Sequence, residues 1–171
     1  MDNSNFDDKY DLSRIIVKPL YFGLGVNVVI PGALLFVCYY INEKGGVDNK
    51  LGDAANFFFY IFIGLTVIIA FMALMKLRNG LQKPLIKRKE TFEEDIMNSI
   101  VKQTRPVSLM ISFIAVLGII YYFLTGRFTE AVLLVLLSFV VFQLVRPRYG
   151  SLRKLIVQQE KLVEEGKFID N

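Results

Sequence analysis

The charged residues of this chain are almost entirely excluded from four long apolar runs, and this segregation limits the fold more than any other feature. The runs cover residues 20–41, 57–75, 107–125 and 129–145. A charge at the centre of a bilayer costs about 2.5–3.5 kcal/mol, and about 20 apolar residues are enough to cross the hydrocarbon core. Each run is therefore predicted to form a transmembrane helix.

The distribution of cations predicts the orientation of these helices. Of the 20 Lys and Arg residues, 17 fall on one side of the predicted membrane, and only Lys44, Lys50 and Arg127 fall on the other. Lys and Arg accumulate in the cytoplasmic loops of membrane proteins. Both termini are therefore predicted to be cytoplasmic, which agrees with an even number of spans. The expected location is the inner (plasma) membrane of a bacterium.

The predicted fold class is all-α, an integral membrane four-helix bundle made of two helical hairpins. A cytoplasmic segment, residues 1–19, precedes the first hairpin, which covers residues 20–75. A cytoplasmic loop, residues 76–106, leads to the second hairpin over residues 107–145. Residues 146–171 form a cytoplasmic tail.

Two amphipathic helices are predicted outside the membrane, at residues 91–104 and in the tail after Ser151. Thr91 and Glu94 have the spacing of a capping box at the start of the first one. Each helix has an apolar stripe that lies on the bilayer, packs on the chain's own bundle or docks another protein. The mixed charge of the tail's polar face favours a protein partner. The candidate docking residues are Leu152, Leu155, Ile156, Leu162 and Val163.

The predicted spans have no ionisable residue near their centres, so their amides become the notable polar groups. Asn27 and Gln143 are predicted to lie at comparable depth and to hydrogen-bond each other, which would join the first helix to the last. A polar permeation path and an interface with another subunit remain alternatives. Glu130, at the outer start of the fourth span, is interpreted as a helix-capping charge, with ion coordination as the alternative.

Two further patterns concern the packing of the spans. Pro31 and Gly32 lie in the middle of the first span, and a proline there removes the backbone hydrogen bond to the carbonyl of Asn27, which predicts a kink. The third span has a face of small residues that allows close helix contact. The candidate contacts on this face are Ser108, Ser112, Ala115 and Gly118.

The remaining residue types exclude several chemistries. The chain has no His and a single Cys, Cys38, which rules out histidine-based sites, an internal disulfide and a cysteine-based zinc cluster. No cofactor or metal is predicted. Lys87, Arg88 and Lys89 are candidates for contacts with lipid headgroups. Nucleic-acid binding is not expected, because no stacking aromatic residues alternate with the cations.

The function class that these features favour is a non-catalytic subunit, assembly factor or scaffold of a membrane complex. The expected partners are the lipid bilayer and either another membrane protein or further copies of this chain. The alternative is a small transporter or channel protomer that acts as an oligomer. An enzyme is not expected, because no catalytic cluster of Asp, Glu, His, Cys or Ser is recognisable.

Overall fold

The computed structural model describes residues 11–169 and contains five helices. They are α1 (Leu12–Glu43), α2 (Ala55–Leu81), α3 (Phe92–Thr125), α4 (Phe128–Val145) and α5 (Tyr149–Glu164). Helices α1 to α4 are each long and apolar enough to cross a membrane, which confirms the all-helical prediction with four candidate spans. Lys9, one of the cations used to predict orientation, lies outside the described residues.

Helix α1 begins well before the first apolar run. The Asp11 side chain caps the helix by accepting a hydrogen bond from the backbone N–H of Arg14 at 3.0 Å. Pro19 is therefore inside the helix, and α1 extends beyond the predicted span 20–41 into the segment 1–19. An inward-facing apolar stripe that includes Leu12 and Ile16 continues to Pro19, and its burial outweighs the one backbone bond that the proline removes.

Helix α3 combines the predicted amphipathic helix 91–104 with the third span, so these are one element and not two. Pro106 lies inside it. The buried positions Ile96, Ile100, Val107 and Ile111 recur every three or four residues across the proline, so a single face stays in register with the core. The predicted capping box is absent, because the Thr91 side chain donates to Asp95 instead of accepting from the helix backbone.

Helix α5 begins at Tyr149, two residues before the predicted cap at Ser151. It ends where Gly166 adopts a left-handed φ of 74°. The N–H of Gly166 donates to the carbonyl of Val163, and the N–H of Lys167 donates to that of Leu162. This Schellman motif satisfies carbonyl groups that a helix end otherwise leaves open.

Helices α3 and α4 form the central pair, joined by the tight turn at Gly126. Helices α1 and α2 each pack against this pair and scarcely touch one another, so the predicted first hairpin is not a packed unit. Half of the most apolar stretch of α3 is buried, against 17% in α1 and 11% in α2. The third and fourth helices therefore form the core of the bundle, and the first and second lie at its periphery.

The two ends of the bundle differ in construction. We call the end that carries Leu12, the loop 82–88 and α5 the basic end. Its buried residues form one hydrophobic cluster, the basic-end core: Leu12, Ile15, Ile16, Leu85, Ile86, Ile96, Ile100, Leu152, Leu155 and Ile156. At the opposite end, the loop between α1 and α2 crosses the turn between α3 and α4, where the N–H of Lys50 donates to the carbonyl of Leu124 at 3.0 Å.

Candidate functional site

The apolar stripe of α5 faces the chain's own core. Leu152, Leu155 and Ile156 are between 0% and 8% exposed and pack in the basic-end core. Val163 packs at the edge of the same cluster, and Leu162 is half-buried. The five candidate docking residues therefore do not form a free surface, and that prediction is corrected. The stripe is covered because the start of α1 and the loop 82–88 supply a matching apolar surface.

Gln159 is the polar centre of this end. Its side chain is fully buried; Oε1 accepts from the backbone N–H of Leu85 at 2.9 Å, and Nε2 donates to the carbonyl of Lys83 at 3.0 Å. Pro84, between these two residues, has no N–H to donate. One glutamine amide thus satisfies the backbone on both sides of the proline. The sequence pattern places Gln159 in an apolar stripe, which is the signal that it needs partners, but the pattern does not name them.

Further hydrogen bonds hold the loop 82–88 from other directions. The hydroxyl of Ser99 donates to the carbonyl of Leu85 at 3.2 Å, and the Asp95 carboxylate accepts from the backbone N–H of Lys87 at 2.9 Å. Beyond α5, the N–H of Ile169 donates to the carbonyl of Ile86 at 2.9 Å. The loop is therefore a fixed part of the basic end, attached to α3, to α5 and to the segment that follows α5.

Asn27 and Gln143, the predicted amide pair, are not joined to each other among the described residues. Asn27 is 1% exposed, and its Nδ2 donates to the carbonyl of Gly23 in its own helix at 3.1 Å. Its Oδ1 is buried without a hydrogen-bond partner in the described part of the chain. Gln143 is half-buried, and its backbone carbonyl accepts from Arg148. The amide reaches a carbonyl of the preceding turn, so the predicted link between the first and last spans is corrected.

The irregularity predicted around Pro31 takes the form of a π turn. Residues Gly25–Val29 are π-helical, and the N–H of Ile30 donates to the carbonyl of Gly25. Pro31 comes directly after Ile30 and is buried, whereas Gly32 is exposed, and no described atom beyond its own helix backbone lies near the position of a Cβ. Single π turns inside helices are frequent at functional sites, and this one contains Asn27.

The small residues of α3 make their contacts within the chain. A Cβ on Gly118 would lie 3.0 Å from the carbonyl oxygen of Ala131, so α4 approaches closely here. Ser108 is buried near Gly23 of α1, where a Cβ would lie 3.6 Å from the serine oxygen. Ala115 is also buried, whereas Ser112 is half-buried and donates to the carbonyl of Leu109 at 2.9 Å.

A polar network joins three helices at the opposite end. The Glu130 carboxylate accepts from the hydroxyl of Tyr121 and pairs with Arg127 at 3.0 Å, and Arg127 also donates to the side chain of Asn56. Desolvation lowers the pKa of the Arg127 guanidinium, but its hydrogen bond to Glu130 and the charge of that carboxylate hold the pKa above its ordinary value. Glu130 therefore ties α2, α3 and α4 together through its neighbours.

The three headgroup candidates are exposed at the basic end. Lys87 and Arg88 line an open recess of about 440 Å³ together with Glu94 and Asp95, and Lys89 begins the turn that leads into α3. Over residues 11–169, no group of three or more His, Cys, Asp or Glu side chains has the arrangement of a metal site.

Family models, curated proteins and solved structures were each compared with the chain, and none of them matches it.

Proposed function

We propose that this chain is a non-catalytic polytopic membrane protein that acts as a small subunit, assembly factor or scaffold of a membrane complex, with its basic end in the cytoplasm. The observation that carries the proposal is the unequal burial of the four candidate spans, because α2 buries only 11% of its most apolar stretch. A helix so little covered by its own chain is available to another helix in the bilayer.

The exposed face of α2 has the pattern of a helix-packing surface. Phe57, Tyr60, Val67 and Phe71 are each between 62% and 70% exposed and recur with helical spacing around Gly64. Apart from the adjoining backbone of α2, no atom of the described residues lies within 4 Å of a Cβ placed on Gly64. Small residues between larger ones let helix backbones approach in a bilayer, where the burial of apolar area contributes little. We call these five positions the α2 seam.

The polar groups in the spans support a structural role over a conducting one. Thr66 donates to the carbonyl of Phe62 at 2.9 Å, and Ser138 donates to that of Val135 at 2.7 Å. Both hydroxyls therefore donate their proton to a carbonyl of their own helix, and this proton is not offered to a permeating group. Together with the fixed loop at the basic end, this supports a rigid element that holds a position in an assembly.

Gentle extraction of the native protein, followed by mass measurement of the intact assembly, tests the proposal. We expect a defined complex with a different membrane protein, and we expect Gly64→Leu to release that partner. Gly32→Leu is the matched control, because Gly32 is an equally open helical glycine outside the α2 seam. Recovery of the chain without a partner, or equal loss in both variants, would contradict the proposal.

The second candidate is a transporter or channel protomer that acts as an oligomer. Asn27 favours it, because a buried amide oxygen without a partner inside a π turn is a ready acceptor for a permeating group. A homo-oligomer that carries ion flux in liposomes, with the flux abolished by Asn27→Leu, would establish this function in place of the first.

A further inference from the structure

We propose that a crevice at the basic end binds the phosphodiester headgroup of an anionic phospholipid, with Arg146 and Arg148 as its cations. The crevice lies where α2, α3, α4 and α5 meet and has a volume of about 200 Å³. A water molecule occupies about 30 Å³, so the space exceeds that of a few ordered waters. This inference does not depend on the subunit role proposed above.

The walls of the crevice are mostly apolar, with Thr104 and Ser151 as their uncharged polar residues, and its cations come from the segment between α4 and α5. Leu77, Val145 and Leu152 supply aliphatic surface from three different helices, and Arg146 and Arg148 complete the lining. Among residues 11–169, no carboxylate lines the crevice. A ligand that fits this surface has an anionic group joined to an apolar chain. A phospholipid has that chemistry, whereas a free anion has no apolar part to pack against the aliphatic walls.

Both arginines are available to a phosphate. Within residues 11–169, neither takes part in an ion pair. One nitrogen of Arg148, Nη2, donates to the carbonyl of Gln143 at 2.9 Å, which holds the guanidinium against the end of α4. The other N–H groups of this guanidinium can donate to a phosphate. The planar fork of a guanidinium matches phosphate oxygens and is less strongly hydrated than an ammonium group.

The depth of the crevice agrees with a headgroup. Helix α4 has 18 residues, and at 1.5 Å per residue it spans about 27 Å, close to the thickness of a hydrocarbon core. Arg146 follows its last residue, and its backbone N–H still donates to the carbonyl of Phe142. The two arginines therefore lie at the level where lipid phosphates begin.

The crevice is a better lipid site than the cations of the loop 82–88. Lys87 and Arg88 face a recess that also contains Glu94 and Asp95, and these carboxylates would repel a lipid phosphate. The crevice combines two cations with a mostly apolar wall, and no carboxylate from the described part of the chain lines it. A lipid site at the basic end is therefore assigned to Arg146 and Arg148.

Native mass spectrometry of the purified protein in mild detergent, titrated with phosphatidylglycerol or phosphatidylcholine, tests this proposal. We expect preferential binding of phosphatidylglycerol and an apparent dissociation constant about tenfold higher in the double variant Arg146→Gln/Arg148→Gln. The double variant Lys87→Gln/Arg88→Gln removes the same charge from the neighbouring loop and should change the constant less than about threefold. Equal weakening in both variants, or no preference between the two lipids, would overturn the site.

Two further measurements separate the lipid from other causes. Ser151, an exposed residue in the lining, allows the crevice to be filled without a change of charge, so Ser151→Trp should weaken phosphatidylglycerol binding as the arginine variant does. This variant also tests the site if the arginine variant does not fold. Inorganic phosphate added in excess should leave the bound lipid in place. Displacement by phosphate, or full binding by Ser151→Trp, would refute a lipid in this crevice.

Discussion

Single residues decide how the two ends of the bundle are held. Gly126 has a φ of 68°, a left-handed conformation that side chains with a Cβ rarely adopt, and a Cβ there would overlap the carbonyl oxygen of Val47. Glycine is thus required both by the turn and by the loop that crosses it. A glycine between two apolar runs predicts the turn, but the approach of a loop some 80 positions earlier in the chain could not be read from the same residues.

We expect Gly126→Ala to lower the free energy of unfolding by about 1–3 kcal/mol, because the variant combines backbone strain with a clash. Thermal unfolding of the purified protein in detergent measures the effect. Gly64→Ala is the control, because Gly64 lies inside a helix with open space at the Cβ position, and it should be neutral or slightly stabilising. A similar unfolding temperature for both variants would argue against the close contact at Val47.

Gln159→Leu should destabilise the basic end by about 1–3 kcal/mol, because it leaves the N–H of Leu85 and the carbonyl of Lys83 without their side-chain partners. Hydrogen exchange at the Leu85 amide is the direct measurement, and the variant should exchange faster. The same substitution at the exposed neighbour Gln158 should leave that amide protected. Unchanged protection in Gln159→Leu would mean that the glutamine does not hold the loop.

At the scale of elements, the two prolines inside α1 and α3 show what local patterns miss. Pro19 and Pro106 directly precede the predicted spans 20–41 and 107–125, yet both lie inside helices whose buried stripes continue through them. A proline costs one backbone hydrogen bond and some steric strain, and this cost is met by packing that belongs to the tertiary structure. The existence of the helices and the start of α3 near Thr91 could be predicted from the sequence, but the early start of α1 and the continuation of α3 through Pro106 could not.

The stripe of α5 is a similar case, and its burial has a measurable consequence. We expect Ile156→Ala to cost about 2–5 kcal/mol, because the side chain is fully buried in the basic-end core. Limited proteolysis should then cleave α5 more readily, and the unfolding temperature should fall. Val157, the next residue, is 45% exposed, so Val157→Ala should change neither quantity appreciably. Equal effects would indicate that α5 is not docked on its own chain.

For the whole molecule, the number of spans was predictable and their arrangement was not. Segregation of charge from apolar runs depends only on the bilayer, so four candidate spans could be predicted without knowledge of packing. Which helices touch depends on the shapes of their surfaces. At Gly118, α4 comes close to α3, and at Gly23 of α1, side chains of α3 and α4 come close to the glycine. Each predicted hairpin was expected to pack as a pair of helices; α3 and α4 do so, whereas α1 and α2 scarcely touch and α2 packs on α3 instead.

The orientation of the whole molecule is tested by labelling single cysteines with a membrane-impermeant maleimide on intact cells, in a Cys38→Ala background. Lys50 and Lys89 are both exposed and lie at opposite ends of the bundle. With the basic end in the cytoplasm, Lys50→Cys should be labelled from outside, and Lys89→Cys should be labelled only after the cells are permeabilised. The reverse pattern would invert the proposed orientation.

The peripheral position of α1 and α2 has a consequence for how the protein is made. When residues up to Leu81 have left the ribosome, two helices have been synthesised that scarcely touch each other and have nothing else to pack against. Their common support, the pair α3 and α4, is synthesised later, and the basic-end core also needs α5, which follows that pair. Tertiary assembly therefore waits until α5 has been synthesised, and until then the nascent chain presents two unassembled helices to the membrane.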